Sequence, residues 1–411
     1  MPEPGRAVVV VGASLAGLRA CEGLRGGGFE GRITLVGAEE HLPYDRPPLS
    51  KKVLQGQWEL DRIALRPVDA LEALGLELRL GVPAAALELS PAGRGGTVIL
   101  ADGTAIVGDA VVIATGSRPR TLGDQPSGAH VLRTIEDSMA LRNEFAAGDR
   151  RVCLVGAGFI GLEAAAAARM AGNEVTVLEA LPAPMLRAFG PVVGAAMATV
   201  HEDEGVEVRC GVMVDSFSDR GVLLNGGKLV PADVIVVGIG AEPVVDWLAG
   251  SGLTLSDGVA VDETLRAAPG VFAAGDVARW PNGQFGGEQM RIEHWTNAAE
   301  QGAHAAGNVL AGFNGVPLTP YRSVPFVWSD QYRHRIQYVG HSSAHDDVVI
   351  AVGTPQARKF VALYQRDGRL RAAAGLNLPR LVMPYRKLIA EGAAFADALV
   401  LAGEQADSLR P

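Results

Sequence analysis

Two similar glycine-rich turns, each between an apolar run and a helical pattern, constrain the fold of this 411-residue chain more than any other feature. The first turn lies at residues 12–17 after the valine run 8–11, and the second lies at 156–161 after the run 152–155. A short β-branched run that ends in such a turn is typical of a buried parallel strand followed by a helix. The repeat therefore predicts an α/β fold with two Rossmann-like dinucleotide-binding domains.

The second turn has the complete fingerprint, with Gly156, Gly158 and Gly161 at the three glycine positions. The three glycines allow a tight turn, a close approach of the pyrophosphate, and close packing of the helix on the strand. Glu179 follows Gly156 by 23 residues, at the end of the next strand. An acid there accepts hydrogen bonds from the ribose hydroxyls of NAD and repels the 2′-phosphate of NADP. We therefore predict NADH rather than NADPH, and the alternative is that Glu179 is a plain surface acid.

The first turn is imperfect, because Ser14 stands where the second glycine is expected between Gly12 and Gly17. By itself it fits a phosphate-binding turn and an ordinary strand–helix turn equally well. Its ribose-binding acid should follow the strand at 33–36, and Glu39 is the best candidate there. Two such turns in one chain suggest two bound dinucleotides.

The composition excludes several classes of protein. Hydrophobic residues make up 48% and charged residues 20%, which excludes a largely disordered chain. A formal charge of −9 is unfavourable for a nucleic-acid binder, and the apolar runs are too short for a membrane span. We therefore expect neither a nucleic acid nor a membrane as partner. Three cysteines far apart exclude a disulfide scaffold and a self-contained metal cage, which fits a cytoplasmic location.

Four further strings accompany the two turns. They are Pro-Pro-Leu-Ser-Lys at 47–51, Ala-Thr-Gly-Ser-Arg-Pro at 114–119, Ala-Gly-Asp at 274–276 and Trp-Ser-Asp-Gln at 328–331. With them, nearly the whole chain resembles the FAD-dependent pyridine-nucleotide oxidoreductases. Within that group it is most similar to the NADH:ferredoxin reductases of bacterial cytochrome P450 and Rieske-type dioxygenase systems, the putidaredoxin reductase type. The glycine turns recur across flavoenzymes, whereas the first and last strings are much more specific.

The resemblance implies FAD at the first turn, NADH at the second, and single electrons passed to a [2Fe–2S] ferredoxin that serves a P450 or a Rieske oxygenase. It also implies glutathione reductase-like FAD and NAD domains followed by a C-terminal α+β domain. The FAD-binding domain is expected at 1–118 and 246–319, the NAD-binding domain at 119–245, and the C-terminal domain at 320–411. No metal ion is expected in this chain.

The resemblance also carries over the cofactor contacts, residue by residue. The expected contacts are Gly12, Ser14, Ala16, Gly17, Glu39, Arg46, Lys51, Val82, Thr115, Arg118, Arg133, Asp276, Trp295, Gly156, Gly158, Ile160, Gly161, Glu179 and Gly240. Ala38 departs from the family pattern, because relatives commonly carry an acid at that position. This departure moves the expected FAD ribose contact to Glu39.

Lys51, Glu163 and Trp295 are the residues expected at the reacting rings. No general base is expected, because the cofactors carry the chemistry and the protein positions them. Lys51 and Glu163 belong to motifs that bracket the flavin in relatives, so we predict an ion pair beside flavin N5; the alternative is two separate solvated charges. Trp295 is expected to touch the ring or to be a core anchor, just before a helix capped by Asn297.

The C-terminal region gives the expected partner. Residues 320–411 carry 12 Lys+Arg and 8 Asp+Glu, and this relatively basic region would steer an acidic ferredoxin. An apoptosis-inducing-factor-like NADH-responsive binding protein and a rubredoxin reductase are the alternatives. A thiol-dependent reductase is disfavoured, because Cys21, Cys153 and Cys210 lie outside the 41–45 region and are expected as small buried hydrophobes.

Overall fold

The computed structural model describes residues 5–409 except 92, 124, 127 and 344. The helices of this part are α1 (Leu15–Gly26), α2 (Val68–Glu72), α3 (Ile135–Ala146), α4 (Phe159–Met170), α5 (Leu186–Asp203), α6 (Trp295–Phe313), α7 (Pro379–Ala390) and α8 (Phe395–Ser408). The strands are β1 (Ala7–Val11), β2 (Arg32–Val36), β3 (Glu77–Arg79), β4 (Ala84–Leu89), β5 (Gly96–Leu100), β6 (Ala105–Gly108), β7 (Ala110–Ile113), β8 (Ser117–Pro119), β9 (Arg151–Val155), β10 (Glu174–Glu179), β11 (Glu207–Cys210), β12 (Val214–Ser218), β13 (Gly221–Leu224), β14 (Leu229–Pro231), β15 (Val234–Val237), β16 (Ala241–Pro243), β17 (Val259–Ala260), β18 (Arg266–Ala268), β19 (Val271–Ala273), β20 (Ala278–Asn282), β21 (Glu288–Met290), β22 (Phe326–Gln331), β23 (His334–Gly340), β24 (Asp347–Thr354), β25 (Lys359–Arg366) and β26 (Arg369–Leu376).

The chain divides into two compact units, each made of several segments. Unit 1 contains the segments Met1–Asp45, Asp61–Arg118 and Glu242–Ser323, and unit 2 contains Arg46–Leu60, Pro119–Ala241 and Val324–Pro411.

Unit 1 is built on a six-stranded sheet with the order β18-β19-β7-β1-β2-β3. Strand β1 runs parallel to β2 and β7, and its burial along its whole length explains its unbroken apolar sequence. Helix α1 follows β1 directly and packs against α6. Smaller antiparallel sheets, such as β4-β5-β6, complete the unit. The first glycine turn therefore lies at the carboxyl end of a central parallel strand.

Unit 2 combines a four-stranded parallel sheet, β11-β10-β9-β15, with a five-stranded antiparallel sheet, β22-β23-β26-β25-β24. The alanine-rich helix α4 follows β9, and its buried run Ala164–Ala168 allows close packing. Helix α5 is interrupted at Gly190, which has φ 70° and precedes Pro191. Phe189 of α5 meets Tyr338 of β23 edge to face, with ring centroids 5.2 Å apart. The two sheets of unit 2 therefore share one apolar core.

The predicted fold class is confirmed: each glycine turn follows a parallel strand at the centre of an α/β sheet, and an α+β region lies at the C-terminal end. The alternating segments at 358–364 and 370–374 were predicted as antiparallel strands, and they pair as β25 and β26. The three-domain division stays a prediction, although the units change at 118 and 242, close to the predicted limits. Among the described residues, no helix combines the length and the apolarity that crossing a bilayer requires.

One local prediction is wrong: Asn297 does not cap α6. The helix begins at Trp295 with His294 in the capping position, so Trp295 is the first helical residue. Asn297 lies buried within the first turn, where its Nδ2 donates to the backbone oxygen of Ile292 at 3.1 Å. The side chains of Asn297 and Glu300 therefore make tertiary contacts instead of capping the helix. Glu300 accepts hydrogen bonds from Tyr321 and Ser323.

Candidate functional site

The first glycine turn is closely packed around the start of α1. Gly12 has φ 124°, and a Cβ there would lie 2.0 Å from the backbone oxygen of Ala114. A Cβ on Gly17 would lie 1.9 Å from the oxygen of Gly12. Ser14 takes the capping position of α1 in an extended conformation, and Ala16 is buried in the first helical turn. The turn therefore has the shape that directs the N-terminal N–H groups of α1 towards a phosphate.

A second group of polar residues lies in unit 1 at the carboxyl end of β19. Ser117 Oγ donates to Asp276 Oδ2 at 3.0 Å, and the N–H of Gly275 donates to Gln301 Oε1 at 2.8 Å. Gln301 is fully buried, yet its Nε2 has no hydrogen-bond partner among the residues that the structure describes. Because a buried unpaired donor is costly, this amide fits a ligand with acceptor atoms, and FAD has many. The residues of unit 1 thus fit the expected cofactor.

Thr115, another predicted contact, lies within unit 1, where its Oγ1 donates to the backbone oxygen of Val244 at 2.7 Å. Glu39 is half-buried after β2, and its Oε2 accepts a hydrogen bond from Tyr44 OH. Tyr44 lies just before Pro47. Its hydrogen bond holds the carboxylate of Glu39, the acid that was expected to bind the ribose. Sequence reasoning did not find this contact.

Trp295 is fixed by a neighbour that the sequence analysis did not single out. Its indole Nε1 donates to Asp45 Oδ1 at 2.6 Å, within unit 1. Trp295 is half-buried, which fits a side chain that offers one face to a ligand better than a core anchor. A hydrogen bond at the indole nitrogen removes the freedom of the ring to turn about its own axis.

The second glycine turn repeats the first in unit 2. Gly156 has φ 103°, and a Cβ on Gly161 would lie 2.2 Å from the oxygen of Gly156. Gly158 caps α4, and the position of its absent Cβ opens to space with no atom within 4 Å. Ile160 beside it is 44% exposed. This open side, next to the first N–H groups of α4, is where a pyrophosphate fits, so the turn suits NADH.

Glu179 lies at the end of β10 and supports this turn. Its Oε2 accepts from the N–H of Ala157 at 2.7 Å, and its Oε1 accepts from the N–H of Leu181 at 2.9 Å. Each carboxylate oxygen has a second lone pair for a further donor such as a ribose hydroxyl. The residue is half-buried and bonded to the turn, and its contact with the ribose stays a prediction.

Lys51 and Glu163 form the predicted ion pair, with Lys51 Nζ 2.8 Å from Glu163 Oε2 in unit 2. The Glu163 side chain is 2% exposed and that of Lys51 is 13% exposed. The alternative of two separate solvated charges is therefore wrong. Ser50 Oγ also donates to Glu163 Oε2, and Ser329 Oγ donates to Oε1 at 2.5 Å. Three donors thus satisfy and hold a buried carboxylate.

Ser50 and Ser329 were missed as individual site residues. Ser50 precedes Lys51 in the Pro-Pro-Leu-Ser-Lys string, and Ser329 lies in the Trp-Ser-Asp-Gln string. Both strings were recognised as specific, and the polar residues inside them were the available signal. What the sequence lacked was the direction of each side chain, which decides that Ser329 and not Trp328 meets Glu163.

The predicted arginine contacts differ in how their side chains are used. Arg46 Nη1 donates to the backbone oxygen of Arg133 at 2.9 Å within unit 2, so these two predicted residues lie together. Arg118 binds Asp246 and also binds Glu242 at 2.7 Å, and these hydrogen bonds raise the pKa of its guanidinium. Much of the Arg118 fork is thus committed to protein carboxylates.

The last predicted contacts are backbone positions. Val82 is half-buried after β3, and its N–H donates to the oxygen of Gly37 at 3.2 Å, close to the end of β2. Gly240 is exposed with φ 110° after β15, and its oxygen accepts from the N–H of Arg120 at 2.9 Å. Both positions follow parallel strands, where ligands of open α/β sheets bind.

The cysteines give no support for thiol chemistry. All three are free thiols; Cys21 and Cys153 are buried, and burial raises the pKa of each to about 12. Cys210 is partly exposed, and burial also raises its pKa. A thiol of this kind stays protonated near neutral pH and is a weak nucleophile.

Two strand–turn–helix glycine turns and a buried lysine–carboxylate pair are features of a dinucleotide-dependent oxidoreductase. The chain belongs to the pyridine nucleotide-disulphide oxidoreductase family, whose model matches residues 6–302. Residues 326–410 match the reductase C-terminal family.

Named relatives match along most of the chain. Rhodocoxin reductase of Rhodococcus erythropolis is 37% identical over 393 residues, which cover 93% of this chain and 89% of the relative. The ferredoxin–NAD(+) reductase component of the anthranilate 1,2-dioxygenase system of Burkholderia cepacia is 38% identical, covering 94% of each chain. In the solved covalent putidaredoxin reductase–putidaredoxin complex, the matching chain has 32% identity and a TM-score of 0.87, with 95% of this chain and 94% of that chain covered.

Proposed function

We propose that this chain is an FAD-dependent NADH:ferredoxin oxidoreductase. The observation that carries the proposal is the presence of two dinucleotide-binding turns in a chain that matches ferredoxin reductases over about nine-tenths of its length. FAD, when bound, accepts a hydride from NADH and releases the two electrons one at a time. The protein itself binds, orients and shields the reactants.

Unit 1 supplies the FAD site. The glycine turn and the start of α1 bind the pyrophosphate, Glu39 binds the ribose, and Asp276, held by Ser117, binds the middle of the cofactor. Trp295, fixed by Asp45, restricts the position of the ring system. The proposed FAD contacts of this unit are Gly12, Ser14, Ala16, Gly17, Glu39, Val82, Thr115, Arg118, Asp276 and Trp295.

Unit 2 supplies the NADH site. The turn at Gly156, Gly158 and Gly161 binds the pyrophosphate, and Glu179 accepts hydrogen bonds from the adenosine ribose. The fixed carboxylate of Glu179 also opposes a 2′-phosphate, because two like charges would face each other there. We propose Ile160 and Gly240 as further contacts of the nucleotide.

The Lys51–Glu163 pair acts as a fixed pair of charges during hydride transfer, and neither residue serves as a general base. The buried carboxylate of Glu163 accepts three hydrogen bonds from protein groups, so water does not easily replace these donors. Replacing a buried ion pair with apolar residues is often neutral or stabilising, so a functional reason for its presence is more plausible than a structural one. We also propose a supporting role in the same reaction for Arg46 and Arg133.

The electron acceptor is a [2Fe–2S] ferredoxin, which in turn serves a cytochrome P450 or a Rieske-type dioxygenase. Two observations support this partner: the relatives include dioxygenase-system reductases, and a solved neighbour is covalently joined to putidaredoxin. Exposed cations of the C-terminal region, such as Arg333 and Lys359, provide attraction for an acidic partner. Three free cysteines agree with our further proposal of a cytoplasmic location.

Steady-state electron transfer tests this function. Purified holoprotein is mixed with NADH or NADPH and cytochrome c, with and without candidate [2Fe–2S] ferredoxins and a rubredoxin. We expect rapid cytochrome c reduction that needs both NADH and a ferredoxin. Reduction that depends on rubredoxin alone would favour the rubredoxin reductase alternative. Slow flavin reduction that no acceptor accelerates would favour an NADH-responsive binding protein.

A further inference from the structure

Four side-chain hydrogen bonds connect Tyr332 to Glu163 inside unit 2. Tyr332 OH lies 3.1 Å from His201 Nδ1, and His201 Nε2 lies 2.8 Å from Gln331 Oε1. Gln331 Nε2 lies 3.1 Å from Ser329 Oγ, which lies 2.5 Å from Glu163 Oε1. His201 and Ser329 have no exposed surface, and Gln331 is 1% exposed. A buried series of side-chain hydrogen bonds of this length is unusual, and its last member, Ser329, meets the Lys51–Glu163 pair.

The chemistry of these groups fixes the direction of every bond. Burial lowers the pKa of His201 to about 4, so the imidazole is neutral near pH 7 and carries one proton. That proton lies on Nε2, because Nε2 faces the carbonyl oxygen of Gln331, which can only accept. The unprotonated Nδ1 then accepts from Tyr332, whose pKa is raised by burial. Gln331 donates to Ser329, and Ser329 donates to Glu163. All four bonds therefore donate towards the carboxylate.

The alternation of β22 explains how the chain of bonds is built. Ser329 and Gln331 point into the core, whereas Asp330 between them points outward and binds Arg335 of the neighbouring strand at 2.6 Å. Tyr332 follows with φ 54°, a conformation that bulky side chains rarely adopt. Because Gln331 pairs with His334, Tyr332 belongs to the two-residue turn between β22 and β23, and from there its hydroxyl meets His201 Nδ1.

The chain of bonds is unsuited to proton transfer. The Gln331 amide interrupts it, because an amide donates through nitrogen and accepts through oxygen without exchanging the proton between them at low cost. Aligned hydrogen bonds polarise one another, and this alignment strengthens the last bond, from Ser329 to Glu163. The arrangement is therefore suited to orienting a carboxylate.

We propose that Tyr332, His201, Gln331 and Ser329 are positioning residues that hold the Glu163 carboxylate in its orientation and in contact with Lys51. This inference rests on the proposed function, in which the Lys51–Glu163 pair assists hydride transfer from NADH. It assigns a role to the Trp-Ser-Asp-Gln string, whose inward residues supply the last two bonds.

A double-mutant cycle on the holoprotein tests the proposal through the anaerobic rate of flavin bleaching by NADH. Gln331→Met removes the amide that donates to Ser329 Oγ and so breaks the series of hydrogen bonds. We expect it to slow bleaching about 10-fold, because the buried Ser329 hydroxyl loses its donor. In a Glu163→Gln background the same change should slow bleaching less than about 2-fold, since no charge remains to be held. Equal slowing in both backgrounds would overturn the proposal.

Tyr332→Phe removes only the outer hydroxyl and is the milder second variant if Gln331→Met fails to fold. We expect about 3-fold slower bleaching. Its matched control is Tyr385→Phe, which removes another buried tyrosine hydroxyl bond of unit 2, from Tyr385 to Gln405 at 2.9 Å. The control should leave the rate unchanged. Equal effects of the two changes would show a purely structural role and contradict the proposal.

Nitrogen-15 NMR of histidine-labelled protein provides a readout independent of activity, with His201→Gln to assign the signal. We expect the neutral Nε2–H tautomer from pH 8 to pH 5, and a shifted Nδ1 resonance in Tyr332→Phe. An Nδ1–H tautomer, or no shift, would overturn the proposed direction of the bonds. If NADH fails to bleach the wild-type flavin, the proposed function fails, whereas a correct tautomer with an additive mutant cycle would refute only the positioning role.

Discussion

Glu163 and Ser329 are 166 residues apart in the sequence, yet the Ser329 hydroxyl donates to the Glu163 carboxylate at 2.5 Å. That bond is to Oε1; the other oxygen, Oε2, accepts from Lys51 at 2.8 Å and also from Ser50. Helix α4, strand β22 and the segment after the Pro-Pro pair thus converge on one charge. A buried carboxylate with this many donors is stable only while its partners remain, and this dependence makes the site testable by substitution.

Removal of Lys51 should destabilise the protein more than removal of its neighbour. Lys51→Met leaves the carboxylate of Glu163 buried without its counter-charge, and we expect a loss of about 3 kcal/mol in the free energy of unfolding. Lys52 is exposed and donates to Gln57, so Lys52→Met is the matched control and should cost less than about 0.5 kcal/mol. Urea unfolding measures both. Equal losses in the two variants would contradict the expected cost of leaving the Glu163 carboxylate buried without its counter-charge.

The first glycine turn should tolerate no added methyl group at its last glycine. A Cβ on Gly17 would lie 1.9 Å from the oxygen of Gly12, so Gly17→Ala forces the turn apart and should purify with most of its FAD lost. Gly26 is in the same helix with no atom within 4 Å of its Cβ position, and Gly26→Ala should retain FAD. Flavin absorbance per chain measures the outcome. Full FAD content in Gly17→Ala would contradict the assignment of FAD to this turn.

Glu179 should set the choice between NADH and NADPH. Glu179→Gln removes the charge that opposes a 2′-phosphate and weakens the ribose contact, so the ratio of kcat/KM for NADH to that for NADPH should fall about 10-fold. Glu207→Gln on the neighbouring strand is the control, since Glu207 is bound to Arg209. Steady-state kinetics with both nucleotides give the ratios. An unchanged ratio in Glu179→Gln would place the specificity elsewhere.

His201 should make the protein less stable in mild acid. Burial lowers its folded-state pKa from 6.5 to about 4, so between these values the unfolded chain binds a proton that the folded chain does not. The free energy of unfolding therefore falls as the pH falls through this window, by about 2 kcal/mol between pH 7 and pH 5. Urea unfolding of wild type and His201→Gln at both pH values measures how much His201 contributes to this loss of stability. A variant with the same pH dependence as wild type would contradict it.

The sequence was sufficient where the signal is local or carried by a recognisable string. Each glycine turn places a strand, a turn and a helix within a few residues of one another, so both strand–turn–helix units were predicted from the sequence. The Lys51–Glu163 pair was predicted because each residue lies in a specific string. The resemblance therefore supplied a long-range contact that periodicity alone could not supply.

The rest of the site depends on tertiary register. Whether Ser329 or Trp328 turns inward depends on the pairing of β22 with β23, and the contact of His201 with Gln331 spans 130 residues. Asn297 shows the opposite failure, because its side chain is buried in tertiary contacts and the helix begins three residues earlier than the capping pattern predicts. No local preference in the sequence could decide these three positions.

Anaerobic single-turnover spectroscopy tests the central claim most directly. The purified protein is mixed with stoichiometric NADH in a stopped-flow instrument, and the reduced protein is then mixed with oxidised [2Fe–2S] ferredoxin. The account predicts a flavin absorbance that NADH bleaches much faster than NADPH does, and that ferredoxin restores in one-electron steps. A protein with no bleachable flavin absorbance, or one whose bleached flavin ferredoxin does not reoxidise, would contradict it.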